Sequence, residues 1–158
     1  MLRSGARLTV ALVCALMAGA PSARADADGE AVIRFGLVGA WAVDCSAPPA
    51  PQNPYQIYAT SNGDRPTREL RMQVESLDGI FEMLRARLLG PNRLAYTDSR
   101  RGGGQYTFDI IVEIEGGRMR SIQSVRSDGA TLIRDGKFSD SGRGTLVFQK
   151  CEATSTGR

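Results

Sequence analysis

Cysteines are the side chains of this chain best suited to covalent chemistry. The sequence contains three of them and no histidine. The absence of histidine excludes Ser-His-Asp and Cys-His catalysis, histidine metal ligands and the usual pH switch near neutrality. The cysteines are Cys14, Cys45 and Cys151. Two cysteines in an exported domain most simply form a disulfide, so the fate of Cys14 decides the chemistry of the other two.

The N-terminal segment has the three parts of a secretory signal peptide. Arg3 and Arg7 form a basic region, residues 8–18 form an apolar core, and residues 23–25 form an A-x-A-like cleavage site. The apolar core is shorter than the roughly 20 residues that cross a bilayer as a helix. We therefore predict cleavage after residue 25, loss of Cys14 with the signal peptide, a periplasmic or secreted location, and no membrane span.

Cleavage also changes the charge of the chain. The full sequence has 20 Lys+Arg and 17 Asp+Glu, and residues 1–25 contain three arginines and no acidic residue. The remaining chain has equal numbers of basic and acidic residues. Binding to nucleic acid or to an anionic membrane depends on an excess of basic charge, so we predict that neither is a partner.

Cys45 and Cys151 are predicted to form a disulfide, with two free buried thiols as the alternative. The bond would close a loop of about a hundred residues, worth roughly 4–5 kcal/mol at most in the chain-entropy model. The alternation of side chains along the predicted strands does not by itself explain how the two cysteines meet. Cys45 shares the strand face of Trp41, whereas Cys151 shares the face of Val147 and Gln149. A bulge, or a bond beyond the strand ends, would reconcile the two patterns.

Arg100 and Arg101 precede three glycines at 102–104. Guanidinium groups and exposed glycine amides both suit anions, so this segment is a candidate phosphate or carboxylate nest. A solvated hairpin tip is the interpretation we favour, because no helix follows to support a phosphate site. A second basic set on neighbouring predicted strands comprises Arg118, Arg120, Arg126 and Arg134.

Carboxylates offer the remaining catalytic possibility. Glu113 and Glu115 share one face of a predicted strand, and Asp44, Asp135 and Asp140 lie elsewhere. A hydrolase could place two carboxylates across a cleft, but a solvated strand face is the favoured interpretation. The cysteines and carboxylates lack metal-ligand spacing. We expect no catalytic residue, no metal and no cofactor, and predict that the protein is not an enzyme.

Alternating apolar residues and frequent turn sequences predict an all-β fold. The predicted strands are 38–45, 55–60, 68–75, 93–97, 106–115, 118–126, 131–134 and 145–151, and a turn at Asp135-Gly136 leads to Lys137 and Phe138. Residues 80–89 contain helix formers, but flanking turns and neighbouring strands favour a strand over a helix. The pattern predicts an antiparallel meander over 38–151 that closes into a small barrel, with a flexible lead-in at 26–37 and a loose tail at 152–158.

The triplet Gly39-Ala40-Trp41 on the first predicted strand resembles the G-x-W start of lipocalin-like barrels. In that family the tryptophan closes one end of the barrel and an arginine of the last strand packs over it. The last strand here offers Lys150, with Arg143 before it. The pattern is also similar to small exported bacterial barrels, including periplasmic protease inhibitors, that pair a tryptophan with one disulfide. The resemblance carries over only to Gly39 and Trp41.

Function remains open between two classes of binding protein. We expect an exported barrel that binds a small apolar ligand, and a periplasmic protein-interaction or inhibitor module is the alternative. Trp41 could stack on a ligand or act as a plug of the barrel, and we favour the plug because tryptophans of small β domains mostly serve the core.

Overall fold

A computed structural model describes residues 21–61, 64–74 and 77–152. Residues 1–20 of the predicted signal peptide, the predicted turn at Asn62-Gly63 and the tail from residue 153 lie outside the described residues. Residues 21–25, the rest of the predicted signal peptide, form the start of a helix. Within the described part of the chain, no helix is long and apolar enough to cross a membrane.

The described residues form one helix and ten strands in a single antiparallel sheet. The elements are α1 (Pro21–Arg34), β1 (Gly39–Ala42), β2 (Tyr55–Ala59), β3 (Thr67–Arg71), β4 (Gly79–Leu88), β5 (Arg93–Arg100), β6 (Thr107–Glu115), β7 (Arg118–Arg126), β8 (Thr131–Arg134), β9 (Lys137–Phe138) and β10 (Phe148–Lys150). Strand β10 pairs with both β1 and β7, so β1–β7 and β10 close into a barrel of eight strands. The predicted meander barrel is confirmed.

The hairpin of β8 and β9 lies outside the closed ring. The first half of β7 pairs with β10 through Met119, and the second half pairs with β8 through Ser124 and Val125. Strand β9 adds to the free side of β8. The β8–β9 hairpin therefore extends the sheet beyond the barrel. The chain then returns to β10, which closes the barrel.

Residues 80–88 of the predicted segment 80–89 lie in strand β4, so the strand interpretation is confirmed. The strand is interrupted by a bulge, because Leu84 pairs with Thr97 and the next pair is Arg87 with Ala95. Arg85 and Ala86 therefore share the place of one residue opposite Tyr96. Arg85 has φ +55°, the left-handed conformation that glycine usually supplies at such a bulge.

The predicted flexible lead-in at 26–37 is wrong, since residues up to Arg34 belong to α1. Gly36 ends the helix with φ +78°, and the Leu37 N–H donates to the Val32 carbonyl at 3.2 Å, a Schellman arrangement. Val32, Phe35 and Leu37 enter the barrel core. The prediction failed because these apolar side chains are too few to give a periodic pattern, whereas burial at the barrel end stabilises them.

Helix α1 covers one end of the barrel. Val32 of α1, together with Phe35 and Leu37 just after the helix, belongs to one hydrophobic cluster with side chains at that end of the barrel. These side chains are Leu88, Leu94, Ile114, Met119 and Phe148. The Asp28 carboxylate accepts a hydrogen bond from the Ala86 N–H at 2.7 Å. The Ala86 amide belongs to the β4 bulge and has no partner in the ladder, so α1 satisfies a backbone group that the bulge leaves over.

Substitution of Asp28 by alanine is expected to lower the free energy of unfolding by about 1–3 kcal/mol, because the Ala86 N–H would be buried without an acceptor. Asp28→Asn retains an acceptor oxygen and should cost less. Urea unfolding followed by circular dichroism measures both, with exposed Asp26→Ala as the control. Equal stability of Asp28→Ala and the wild type would contradict this role.

The Cys45–Cys151 disulfide joins the two ends of the sheet across 106 residues. Strand β1 ends at Ala42, three residues before Cys45, and Cys151 follows the last residue of β10. The bond thus lies beyond the strand ends, which resolves the conflict in the alternation. The Cys151 N–H still donates to the Ala40 carbonyl at 2.8 Å.

The proline-rich loop between β1 and β2 is organised by one side chain, Asn53. Its amide donates to the carbonyls of Asp44, Ala47 and Pro48 at 3.0–3.2 Å, and its oxygen accepts from the Asp44 N–H at 2.9 Å. The Tyr55 hydroxyl donates toward the Cys45 carbonyl at 3.0 Å. These contacts hold the loop beside the disulfide, so it serves as a structured connection.

Candidate functional site

Trp41 lies in the core at the helix-covered end and is 2% exposed. Its Nε1–H donates to the Leu37 carbonyl at 2.7 Å. The Lys150 Nζ lies 5.6 Å from the centre of the Trp41 ring and donates to the Gly36 carbonyl at 2.9 Å. Trp41 therefore packs as a plug beneath a cation of the last strand, and its ring offers no free face for a ligand.

Arg100 ends β5 and Arg101 begins the turn that follows, in the segment that the sequence offers as a candidate anion nest. The Arg100 guanidinium donates to the Asp78 carbonyl at 3.0 Å, and Arg101 pairs with Glu82 at 3.3 Å. The two side chains therefore engage different acceptors at the β5–β6 tip, where Gly102 and Gly103 form the turn with positive φ. The favoured interpretation of this segment as a hairpin tip matches the structure.

An ion pair that the sequence did not indicate lies inside the barrel. The Asp98 side chain is fully buried, and its Oδ2 accepts from Arg68 Nε at 2.9 Å and Nη2 at 2.5 Å. The Arg68 guanidinium also lies 4.5 Å from the centre of the Phe81 ring. Buried Tyr58 and Tyr96 lie beside the pair.

Burial shifts the titration of this interior group. Burial raises the pKa of Asp98, and the Arg68 guanidinium opposes the shift. Burial raises the pKa of Tyr58 to about 12, so its hydroxyl remains protonated and donates to Gln56 Oε1 at 2.7 Å. Tyr58 and Tyr96 of this cluster belong to the hydrophobic core of the barrel.

The outer surface of strands β4–β7 carries a candidate binding feature, which we call the outer groove. It consists of two adjoining cavities of about 370 and 530 Å³ that share Ile111 and Gln123. The lining of the outer groove includes Arg85, Arg87, Leu89, Arg93, Ala95, Thr97, Asp109, Ile111, Glu113, Arg120, Ile122, Gln123 and Asp135. Ala95, Ile111 and Ile122 form an apolar floor, and long arginines form the walls.

The β4 bulge determines which side chains reach the outer groove. Before the bulge, Phe81 and Met83 pair with Arg100 and Asp98 and share their face of the sheet. Simple alternation would place Arg85 on the same face as Met83. The extra residue reverses the alternation, and both Arg85 and Arg87 line the outer groove. Bulges commonly redirect side chains near functional sites.

Glu113 lies between two arginines at the far half of the outer groove. Its Oε1 accepts from Arg93 Nε at 3.0 Å, and its Oε2 accepts from Arg120 Nη2 at 3.1 Å. The carboxylate is 6% exposed, whereas the two arginine side chains are about half exposed, at 51% and 45%. Glu113 thus lies beneath the guanidinium groups rather than on a solvated face, which corrects the sequence-based interpretation.

Thr97 and Asp109 organise the near half of the outer groove. The Thr97 hydroxyl accepts from Arg85 Nη2 at 2.8 Å and donates to Asp109 Oδ1 at 2.6 Å. Asp109 and Arg85 lie 3.5 Å apart, with side chains 66% and 65% exposed. A pair this exposed contributes little free energy, so Arg85 remains available to another anion.

The remaining sequence candidates do not converge on a site. Asp44 accepts from the Ser46 N–H and hydroxyl in a local turn, and these bonds lower its pKa. Arg126 pairs with Asp128 and covers the Tyr106 ring at the other end of the barrel. Of the predicted basic set, Arg120 alone lines the outer groove.

Hydrogen bonds from Arg93 and then Arg120 hold the pKa of Glu113 below its ordinary value of 4.5. A lowered folded-state pKa stabilises the fold above the unfolded value, and this contribution is lost as pH falls through the folded value. Wild type should therefore lose more stability than Glu113→Gln between about pH 5 and pH 3. Urea unfolding across this range measures the difference, and parallel pH profiles would contradict it.

The chain was compared with known proteins at three levels. No family model matches it, no curated protein matches it, and no solved structure matches it.

Proposed function

We propose that this chain is an exported, non-enzymatic β-barrel that acts as a protein-interaction module and docks its partner in the outer groove. The observation that carries the proposal is the position of free space. The cavities of the groove lie on the outer face of β4–β7, whereas the interior contains the Arg68–Asp98 pair and a cluster of nearly unexposed side chains.

The packed interior disfavours the expected small apolar ligand. A ligand inside the barrel would have to displace Trp41, Tyr58 or Met83, which are at most 2% exposed. It would also meet a buried charge pair, which an apolar molecule cannot solvate. The protein-interaction alternative needs no such displacement.

The resemblance to lipocalin-like barrels concerns architecture in this proposal. Lys150 over Trp41 occupies the place that the resemblance assigns to an arginine of the last strand, and α1 covers the same end of the barrel. These contacts support a related way of closing a barrel. Fold alone does not determine function, so the ligand chemistry of such barrels is not carried over.

The first test concerns the interior. Titration with an environment-sensitive apolar fluorophore, anilinonaphthalene sulfonate, is expected to give no saturable binding and no quenching of Trp41, the single tryptophan. Stoichiometric binding with Trp41 quenching would overturn the proposal in favour of a ligand-binding barrel.

The second test blocks the outer groove without changing its charge. Ala95→Phe places a large ring on the groove floor, where Ala95 is 5% exposed. Ser99→Phe is the matched control, on the same face of β5 but outside the groove. Cross-linking in the native oxidising compartment should capture a protein with wild type and Ser99→Phe, and lose it with Ala95→Phe. Capture by all three proteins, or by none, would contradict docking in the groove.

A further inference from the structure

The chemistry of the outer groove narrows the kind of partner, on the basis of the proposed function above. We propose that the outer groove binds an extended, acidic segment of a protein, with carboxylates at Arg85 and Arg87 and an apolar side chain against Ile111 and Ile122. The positions of the charged side chains, the apolar floor and the dimensions of the groove all suit such a segment.

The charged side chains of the outer groove lie at two depths. The walls carry four arginines, and the carboxylates among the lining residues are Asp109, Glu113 and Asp135. Glu113 lies beneath two guanidinium groups with both oxygens hydrogen-bonded. Because Glu113 is buried, the exposed side chains of the groove have a larger excess of guanidinium groups over carboxylates than the full set of lining residues has. A guanidinium group can bind a carboxylate through two parallel hydrogen bonds.

Arg87 is the arginine best placed to bind an external anion. It is exposed and has no ion-pair partner among residues 21–61, 64–74 and 77–152. Arg85, two residues away on the same wall, is held by the neutral Thr97 hydroxyl and by an exposed contact to Asp109. A carboxylate between Arg85 and Arg87 would gain two cations at little cost in broken contacts.

The groove floor favours apolar side chains between the acidic ones. Ala95, Ile111 and Ile122 lie along the floor, and Leu89, 46% exposed, lies at its far end. From β4 to β7 the groove crosses three strand spacings, about 14 Å. This length fits about four residues of an extended chain, so alternating acidic and apolar residues match its two layers.

Direct binding of defined peptides tests the inference. The probe is a blocked, fluorescently labelled hexapeptide of alternating glutamate and leucine, and the matched peptides replace glutamate with glutamine or lysine. We expect the acidic peptide to bind the full-length oxidised protein most tightly in fluorescence anisotropy. Its affinity should fall as salt rises, because exposed charge pairs are screened.

Two variants assign the binding to the proposed arginines. Arg87→Gln removes a charge, and Arg85→Gly removes a charge while placing glycine at the φ of +55°, where it suits the backbone. Each should weaken the acidic peptide about three- to tenfold. Arg101→Gln, at the distant hairpin tip, is the control with the same charge change and should have no effect.

The outcomes separate this inference from the proposed function. Equal affinity for acidic and glutamine peptides, or retained affinity in both variants, would overturn the acidic segment even if Ala95→Phe still abolished protein capture. Competition by inorganic phosphate as effective as that by the acidic peptide would also overturn it, since a general anion site would then explain the binding. Loss of both protein capture and peptide binding would overturn the docking proposal itself.

Discussion

Replacing Arg68 with methionine is expected to lower the free energy of unfolding by about 3–5 kcal/mol, because Asp98 would lose the partner of a buried charge. The Asp98 side chain is fully buried, and both of its hydrogen bonds come from Arg68. Its other oxygen, Oδ1, has no hydrogen-bond partner among the described residues. Asp98→Ala should cost a similar amount, since it leaves the guanidinium buried.

The double substitution Arg68→Met with Asp98→Leu provides the decisive comparison. Removing both charges removes the desolvation penalty, so the double variant should be markedly more stable than either single variant. Urea unfolding of the four proteins gives the coupling energy between the two positions. Additive losses, or single losses below about 1 kcal/mol, would show that the pair is not a central element of the core.

Loss of the Cys45–Cys151 disulfide is expected to cost about 2–4 kcal/mol, mainly because the unfolded chain gains freedom. The bond spans 106 residues and fixes β1 and β10, which close the barrel together with β7. Cys45→Ala and Cys151→Ala should lower the melting temperature by similar amounts. The double variant should be no less stable than either single one, because the three variants lack the same bond.

Non-reducing peptide mapping of protein from an oxidising compartment tests the bond directly. A single cross-linked peptide pair containing Cys45 and Cys151 is expected. Two free thiols in that material would contradict the predicted framework, and unequal destabilisation by the two single variants would show that one cysteine has another role.

The position of Arg85 links helix α1 to the outer groove. Asp28 of α1 holds the Ala86 amide, and Ala86 is the bulge residue next to Arg85. The helix therefore supports the local backbone that directs an arginine into the outer groove. The predicted cleavage after Ala25 would leave Asp28 in the chain as the third residue from the new N-terminus.

Sequence patterns were sufficient to predict most of the strands and the disulfide. Alternation at Phe108, Ile110 and Val112 indicated a strand with one inward face, and β6 has that arrangement because side chains of a strand alternate between two faces. Turn residues located most strand boundaries. Two cysteines beyond the predicted signal peptide allowed one pairing, and the barrel places them together.

Features that depend on pairing between distant segments could not be predicted from local sequence patterns. Arg68 and Asp98 meet across 30 residues, and nothing local distinguishes them from solvent-facing charges on alternating strands. One extra residue in β4 reverses the alternation and moves Arg85 and Arg87 to the outer face. A bulge arises from the register of two strands, and register is set by packing across the whole barrel rather than by the residues of one strand.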